Sequence, residues 1–402
     1  MAAQPHQLAP VVSCFAVSAD LSYLALCPNT SSVTIYRVTQ DAANGYSFTQ
    51  IASLEEHDQL VAGIDWCPVT NKLLTCAHDR NAYVWTRGTA EETWDPVLTI
   101  LRTQRAALCC QWSPKGNKFA VGTAAKTACV CYYEGENNWW VSKLIKKGLH
   151  RSSVVDVRWH PNNMLLATAS TDGCARVFFA QIPDADGAAS APCPFSTPLL
   201  EVRSDSGAWV HSLDWSPDGS SLAFVAHDAT VCVVEGMGAP GFWDDGTDAA
   251  SRATRVGVKN VRLRGLPMAC VWFADAECVV VAGHEGAPMI VSPQGGGSWA
   301  AGALLGGGGG ARTSKRASQF AEASALFQGG GILGGHNNGG GADSDAVYVK
   351  GKPPSGPHSA CVTSIRALPR GKGYAFATAG VDGKLVFWPD QTLAGKMSQM
   401  AL

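Results

Sequence analysis

Short apolar runs separated by polar turns recur along the chain at a nearly constant interval. In six units, the first apolar run ends at an aromatic or aliphatic residue. The corresponding position of the third apolar run follows 19 residues later. These intervals are 17–36, 66–85, 112–131, 159–178, 215–234 and 272–291, and 367–388 follows with two residues added. Apolar runs bounded by Pro, Asn, Asp and Gly are typical of strands, so each interval predicts three antiparallel strands joined by hairpins.

A fourth, more polar run follows in most units, as in residues 93–101 and 139–147. The first six units begin 46 to 57 residues apart. Four strands per unit at this spacing describe a blade of a WD40 β-propeller. The pattern therefore predicts an all-β fold in which residues 1–402 form a single seven-bladed propeller.

A histidine, a threonine, an aspartate and an aromatic residue recur at fixed offsets in three units. The sets are His57, Thr75, Asp79 and Trp85, then His150, Thr168, Asp172 and Phe178, and, with two residues added, His358, Thr378, Asp382 and Trp388. A histidine, a hydroxyl and a carboxylate could form a catalytic site. However, an enzyme would not carry its triad in several successive sheets, and the sets resemble the structural tetrad of WD-repeat proteins. We therefore predict hydrogen-bonded tetrads that brace the blades, and no catalytic residue.

The other four units lack one or more members of the tetrad. Tyr36, Cys131, Val234 and Val291 stand at the position of the tryptophan. Apolar packing is expected to hold those blades together. Only fourteen residues follow Trp388, so we predict that the segment from Gln7 to Val12 supplies the outer strand of the last blade.

Residues 292–357 break the repeat. They hold 19 of the 43 glycines of the chain, a composition that favours a flexible insertion between blades six and seven. Within it, apolar and small residues at helical spacing predict an amphipathic helix near 314–328, capped by Thr313 or Ser314 and ended by Gly329. One interpretation is a recognition element that orders on a partner. The alternatives are that it docks on its own propeller or remains disordered.

Composition narrows the possible functions. With 31 Lys and Arg against 33 Asp and Glu, bulk charge gives no reason to expect nucleic-acid binding. Residues 101–160 are locally basic, with ten Lys or Arg and three Asp or Glu. The basic residues that could meet an acidic partner are Arg102, Arg105, Lys143, Lys146 and Lys147, and a solvated face is the alternative.

No feature of the sequence indicates a cofactor. The fourteen cysteines form no C-x-x-C pair and mostly lie in apolar runs, so we expect reduced, buried thiols. Neither zinc-ligand spacing nor a phosphate-binding glycine motif is present, so no metal or cofactor is expected. No leader pattern and no run of 18 apolar residues occurs, so we expect a soluble cytoplasmic protein without a membrane span.

Several stretches go beyond a generic WD repeat. They include "HDRNAYVWT" at 78–86, "ILRTQRAA" at 100–107, "ENNWWVSKLIKK" at 136–147 and "AWVHSLDWSPDGSSLAFVAHDATVCV" at 208–233. These stretches resemble the WD-repeat subunit (subunit 1) of the actin-related protein 2/3 complex. The resemblance runs from blade one through blade five, weakens in blade six and returns in the last blade.

The resemblance implies a function as well as a fold. It implies a non-catalytic scaffold subunit, located at the actin cytoskeleton, in an assembly that nucleates branched actin filaments. The implied partners are the other subunits, the actin filament and nucleation-promoting factors. The family's insertion carries a short helix that contacts the mother filament or a nucleation-promoting factor, and the matching residues here are Phe320 and Phe327, flanked by Lys315 and Arg316.

Two further interpretations remain open. The chain could be a free-standing WD40 adaptor that binds a protein or peptide on the propeller face. A more remote possibility is an enzyme with a His/Asp site in the central channel. Trp139 and Trp140 could form a subunit contact, or they could pack between blades.

Overall fold

A computed structural model describes most of the chain. The described residues are 3–40, 45–88, 92–146, 148–187, 192–306, 356–369, 371 and 373–393. The chain divides into two units, residues 1–306 with 354–402, and residues 307–353. The second unit lies outside the described residues, and with it the predicted helix near 314–328 and its residues Lys315, Arg316, Phe320 and Phe327. Lys147 also lies outside them.

In the described part of the chain, the strands form seven four-stranded antiparallel sheets. Each sheet is one blade, with its first strand innermost. Blade one comprises β2 (Cys14–Val17), β3 (Tyr23–Cys27), β4 (Val33–Gln40) and β5 (Tyr46–Leu54). Blade two comprises β6 (Val61–Trp66), β7 (Leu73–Ala77), β8 (Asn81–Arg87) and β9 (Trp94–Ile100). Blade three comprises β10 (Ala107–Trp112), β11 (Lys118–Thr123), β12 (Thr127–Glu134) and β13 (Trp139–Leu144).

The remaining blades repeat this order. Blade four comprises β14 (Val154–Trp159), β15 (Leu165–Ser170), β16 (Cys174–Phe179) and β17 (Pro198–Arg203). Blade five comprises β18 (Val210–Trp215), β19 (Leu222–Ala226), β20 (Thr230–Glu235) and β21 (Gly257–Arg262). Blade six comprises β22 (Met268–Asp275), β23 (Cys278–Gly283), β24 (Met289–Gln294) and β25 (Ser298–Leu304). Blade seven comprises β26 (Val362–Ala367), β27 (Tyr374–Gly380), β28 (Lys384–Pro389) and, from the other end of the chain, β1 (Gln4–Gln7).

Within the described residues, two short helices lie in the connections between third and fourth strands. They are α1 (Pro183–Asp186) in blade four and α2 (Ala249–Ala253) in blade five. The inner strands contact one another in sequence from β2 to β26, and β26 contacts β2, so the ring closes. The predicted seven-bladed WD40 propeller is confirmed.

The N-terminal segment supplies the outer strand of blade seven, as predicted, but this strand lies earlier in the chain than predicted and shares only Gln7 with the predicted range. Gln4 to Gln7 pair antiparallel with β28, so that Gln4 lies opposite Phe387 and Gln7 opposite Lys384. The prediction placed this strand at Gln7 to Val12. Residues 8–12 instead cross from blade seven to blade one, and Val12 donates its N–H to the carbonyl of Gly380 in blade seven.

The first part of the predicted flexible insertion is a pair of strands. Residues 292–294 complete β24, and residues 298–304 form β25, the outer strand of blade six. Gly296 and Gly297 have φ of 84° and 74° in the turn between them, a conformation that other residues adopt at a cost. Glycine in this stretch therefore builds a hairpin turn, and the prediction of a linker from residue 292 was wrong for residues 292–304.

Apolar side chains fill the spaces between neighbouring blades. The described residues form seven buried clusters, each shared by two adjacent sheets. All fourteen cysteines are free thiols, and eleven of them are buried. The sequence prediction of reduced, buried cysteines agrees with this arrangement.

Candidate functional site

The tetrad of blade two is a continuous hydrogen-bonded chain. Trp85 donates its indole N–H to Thr75 Oγ1 over 2.9 Å, and Thr75 Oγ1 lies 2.8 Å from His57 Nε2. His57 Nδ1 lies 2.7 Å from Asp79 Oδ2. The carboxylate can only accept, so His57 donates its Nδ1–H to it. Because burial lowers the pKa of His57, the ring is neutral and its Nε2 accepts from the threonine hydroxyl. The network therefore holds a neutral imidazole in one tautomer.

Blade seven contains the same chain. Trp388 donates to Thr378 Oγ1 over 2.9 Å, and Thr378 Oγ1 lies 2.8 Å from His358 Nε2. His358 Nδ1 lies 3.0 Å from Asp382 Oδ1. Asp382 also accepts the backbone N–H of Ser359. The carboxylate thus ties the segment before the first strand to the turn before the third.

Blade four departs from this pattern. His150 Nε2 lies 2.9 Å from Thr168 Oγ1, but His150 Nδ1 has no hydrogen-bond partner among the described residues. Asp172 instead accepts two hydrogen bonds from Arg176 Nη1, at 3.0 and 2.8 Å. The expectation that Asp172 accepts from the imidazole is therefore wrong here, because the guanidinium occupies the carboxylate. Phe178 is fully buried and offers no donor.

Blade five keeps a fragment of the tetrad. At the histidine position stands Ser206, whose hydroxyl donates to Asp228 Oδ2 over 2.6 Å. Phe224 and Val234 occupy the threonine and tryptophan positions, and both are fully buried. Apolar packing therefore replaces the threonine and tryptophan of the network, as the sequence predicted. The turn that contains Asp228 keeps one side-chain hydrogen bond.

Burial decides what the tetrads can do chemically. His57, His150 and His358 are at most 5% exposed. Burial lowers the pKa of each, and in His150 burial together with the nearby Arg176 charge brings the pKa to about 4. Their ring nitrogens face protein groups inside a sheet, and none of the three lines the described central cavity. This arrangement braces the blades and leaves no open face for a substrate.

A second polar feature, which the sequence analysis did not recognise, links the inner strands around the ring. The residue before the Trp that ends an inner strand reaches across to the next blade. Asp65 accepts the backbone N–H of Trp112, and Gln111 accepts that of Trp159. Asp214 accepts the N–H of Phe273, and Arg158 donates to the Leu213 carbonyl. The sequence feature that could have revealed these bridges is a polar residue directly before the Trp in an otherwise apolar strand.

The hydrogen bonds between inner strands continue where blade seven meets blade one and the ring closes. Arg366 of blade seven donates to the carbonyls of Phe15 in blade one and Ile64 in blade two, over 3.2 and 3.0 Å. A central cavity of about 210 Å³ is lined by Asp156, Arg158 and Arg366 among others. Asp156 accepts from Ser212 and from the N–H of Leu213. These charges serve the bridges between blades. Within the described residues, no group of three or more His, Cys, Asp or Glu could hold a metal ion.

The predicted contact residues that the structure describes lie on β13 and in the connections that lead into and out of blade three. Arg102 and Arg105 are exposed beyond the end of β9 and make no ion pair in the described part of the chain. Lys143 lies 3.9 Å from Asp184 and over the ring of Tyr132, so its charge is partly compensated. Lys146 is exposed.

The two adjacent tryptophans have different environments. Trp139 is 53% exposed, and its indole N–H donates to Glu134. Trp140 packs against Trp112, Phe119 and Tyr133, with ring centroids 4.9 to 5.6 Å apart. Trp140 is thus a packing residue of blade three, while Trp139 presents an aromatic surface to solvent.

Among the described residues, no helix is both long and apolar enough to span a membrane.

Comparison with known proteins agrees with this architecture. The family model described as "WD domain, G-beta repeat" matches residues 48–86, 143–178 and 197–235. The chain is 40% identical over 394 residues to the actin-related protein 2/3 complex subunit 1B of Arabidopsis thaliana, which covers 95% of each chain. It is 39% identical over 292 residues to subunit 1A-B of Xenopus laevis, covering 71% of this chain and 72% of the relative.

A fungal protein extends the relationship. The subunit 1 of Schizosaccharomyces pombe is 37% identical over 276 residues, 67% of each chain. Relatives from a plant, an animal and a fungus thus share one subunit name and align along two thirds or more of this sequence. The chain belongs to the actin-related protein 2/3 complex subunit 1 family of WD40 propellers.

Proposed function

We propose that this chain is a non-catalytic scaffold subunit of a cytoplasmic actin-related protein 2/3 complex and supports the nucleation of branched actin filaments. The observation that carries the proposal is the 40% identity to a subunit of that name along 95% of both chains. The buried tetrads and the bridges between inner strands support it, because they make a rigid ring whose polar groups are engaged in structure. Its outer surfaces are then available to other proteins.

The surface formed by β13 and the connections on either side of blade three is the proposed contact with a neighbouring subunit. Trp139 supplies an exposed aromatic side chain, a residue type enriched at interfaces. Arg102 and Arg105 supply positive charge without an internal partner in the described residues. Lys143 and Lys146 extend this basic region, and the proposed contact also includes Lys147, which lies outside the described residues. An acidic patch on the partner would complement the arginines.

The insertion is the proposed contact with the actin filament or a nucleation-promoting factor. The helix near 314–328 would present Phe320 and Phe327 on one face, with Lys315 and Arg316 beside them. Two aromatic side chains on a short amphipathic helix suit a hydrophobic groove of a partner. This role is separate from that of the propeller, so the two can be tested separately.

The decisive experiment deletes residues 312–328 and reconstitutes the complex with its other subunits. Assembly is measured by co-elution in size-exclusion chromatography, and branches are counted by fluorescence microscopy of growing filaments. We expect assembly to remain intact and branching to fall. A double variant, Phe320→Ser with Phe327→Ser, should reproduce the deletion. The matched control, Ile332→Ser with Leu333→Ser, changes apolar residues of the same insertion outside the predicted helix.

Each outcome has a clear meaning. Loss of assembly on deleting 312–328 would contradict the assigned role of the insertion. A wild-type chain that remains a solitary monomer, does not join the other subunits and leaves actin assembly unchanged would contradict the scaffold proposal and favour a free-standing adaptor.

A further inference from the structure

The outer strand of blade two exposes an unusual amount of apolar surface. On β9, Val97 is 38% exposed, Leu98 44% and Ile100 61%. Among the described outer strands of the other blades, only Trp139 on β13 and Val258 on β21 are comparably exposed large apolar residues. Three such side chains within four positions make β9 the most hydrophobic outer edge in the described part of the ring.

Among the described strands, the backbone of β9 pairs with β8 alone. Its residues pair with β8 from Arg87 opposite Trp94 to Asn81 opposite Ile100, and β9 is the last strand of its sheet. Soluble proteins usually protect such edges with lysine, with short strands or with a covering element. β9 has seven residues, and the only charged one is Asp95. Pro96 removes a single N–H from the ladder.

We infer that this edge receives an extended segment of a partner subunit, which pairs with β9 as a fifth strand of blade two. Main-chain hydrogen bonds would supply the register, and the two rows of β9 side chains would select the sequence. The inference rests on the proposed function, since the partner is another subunit of the same complex. It adds the mode of contact and the chemistry of the partner segment.

Side-chain direction specifies the apolar part of that segment. Val97 lies opposite Val84 and Leu98 opposite Tyr83, so the two residues face opposite sides of the sheet. Ile100 lies on the same side as Leu98. A partner strand therefore needs apolar residues on both of its faces, rather than the alternation of apolar and polar residues found in a half-exposed strand.

Charge specifies one end of the segment. Arg102 and Arg105 follow β9, are exposed and have no ion pair in the described residues, whereas Asp95 stands near the other end. An acidic residue at the end of the partner strand that passes Arg102 would form complementary pairs. The inferred occupant is thus an extended, apolar segment with an acidic end.

A second copy of this chain fits less well. Two β9 strands in one ladder would bring two Pro96 residues into it, and each lacks the N–H needed for pairing. A seven-residue ladder is also too small to be the whole of a stable dimer interface, which buries roughly 1,200 Å² or more. In a multi-subunit complex the same ladder adds to other contacts.

Hydrogen–deuterium exchange tests the inference on the full chain, alone and in the reconstituted complex. We expect amides of residues 94–101 to exchange more slowly in the complex. β21, the outer strand of blade five, is the internal reference for a strand without a predicted partner. Unchanged exchange of the β9 amides in a fully assembled complex would overturn the inference.

Single substitutions provide the second measurement. Leu98→Lys and Ile100→Lys place a charge on an exposed edge without disturbing the core, so the melting temperature of the isolated chain should not change. We expect its affinity for the remaining subunits to fall about tenfold or more, as for the loss of a central interface residue. Val258→Lys is the matched control, because Val258 is 40% exposed on another outer strand. Equal affinities for all three variants and the wild type would overturn the inference.

The outcomes separate this inference from the proposed function. If the wild-type chain does not assemble with the other subunits, the proposed function fails. If it assembles but β9 is neither protected nor sensitive to lysine, only the strand pairing fails. Sedimentation of the isolated chain tests the remaining alternative, a second copy of this chain. A dimer that is dissociated by Leu98→Lys would identify the second copy as the occupant of the β9 edge and overturn the choice of partner.

Discussion

The carbonyl oxygen of Ala9 lies against Gly383, on the side where any other residue would carry its Cβ. Gly383 has φ of 75° in the turn before the last strand, and its own carbonyl accepts the N–H of Leu8 over 3.3 Å. The first residues of the chain thus reach blade seven through a turn that only glycine fits. Ring closure depends on this contact between the two ends of the sequence.

Replacing Gly383 by alanine should therefore loosen the closure. Positive φ alone costs an alanine about 1–2 kcal/mol, and the added Cβ would also displace the Ala9 backbone. The matched control is Gly148→Ala, because Gly148 has φ of 90° and open space where a Cβ would point. We expect Gly383→Ala to lower the thermal unfolding midpoint clearly more than Gly148→Ala. Equal losses would mean that the N-terminal strand contributes little.

The complete tetrad should contribute more stability than the partial one. Thr75→Val leaves both the Trp85 indole N–H and His57 Nε2 without their partner, whereas Thr168→Val affects only His150. An unsatisfied buried polar group costs about 1–3 kcal/mol. We expect a larger loss of stability in urea unfolding for Thr75→Val. A larger loss for Thr168→Val would contradict the assigned roles.

Arg176 should control the ionisation of His150. Burial lowers the pKa of His150 to about 4, and the Arg176 charge contributes to this shift. Arg176→Met removes that charge and frees Asp172 to accept from His150 Nδ1, so the pKa should rise. NMR titration of ring-labelled histidine measures it, and Arg151→Met, an exposed arginine, is the control. An unchanged His150 pKa in Arg176→Met would contradict this prediction.

The same pKa predicts an effect of acid on stability. A histidine whose folded pKa lies below its unfolded value of 6.5 takes up its proton on unfolding. Its contribution is therefore complete above pH 6.5 and is lost as the pH falls towards about 4. We expect the unfolding midpoint to decline across this window, and to decline less steeply in Arg176→Met. A midpoint that does not change between pH 7 and 5 would contradict the assignment.

Arg158 should matter most at high pH. It lies 3.5 Å from Asp156 and 3.8 Å from Asp214, and burial raises the pKa of Asp214 to about 6 although Arg158 opposes the shift. Losing one partner of a buried pair costs about 3–5 kcal/mol. Arg158→Met should thus destabilise the protein more at pH 8 than at pH 5, where protonation relieves the unpaired carboxylate. Arg262→Met, an exposed arginine, should show no such dependence in thermal unfolding at the two pH values.

The repeat could be predicted from sequence because each blade is a local structure. Hairpins form between neighbouring segments, so the spacing from Trp66 to Trp85 and its equivalents fixed both the strands and the number of blades. The tetrad positions followed from the same spacing. Residues such as His57 and Asp79 lie at the two ends of one local unit, and hairpin pairing brings them together.

Other features depended on groups that are distant in sequence or on the environment of a side chain. The hairpin at 292–304 was missed because a high glycine content by itself indicates a flexible segment. Residues 298–304 form a strand because they pair with β24. The Asp172–Arg176 pair was missed because two partners compete for one carboxylate, and only their final geometry decides between them.

The amino-acid sequence by itself determined seven similar sheets, their polar braces and the family of the chain. Only the tertiary structure decided which residues join one sheet to the next. Asp65, Gln111 and Arg158 find their partners in the following blade, and Gln4–Gln7 pair with a strand more than 370 residues away. These contacts join segments that hairpin pairing does not bring together. The local sequence marks a polar side chain in an inner strand but does not record which distant backbone group will lie opposite it.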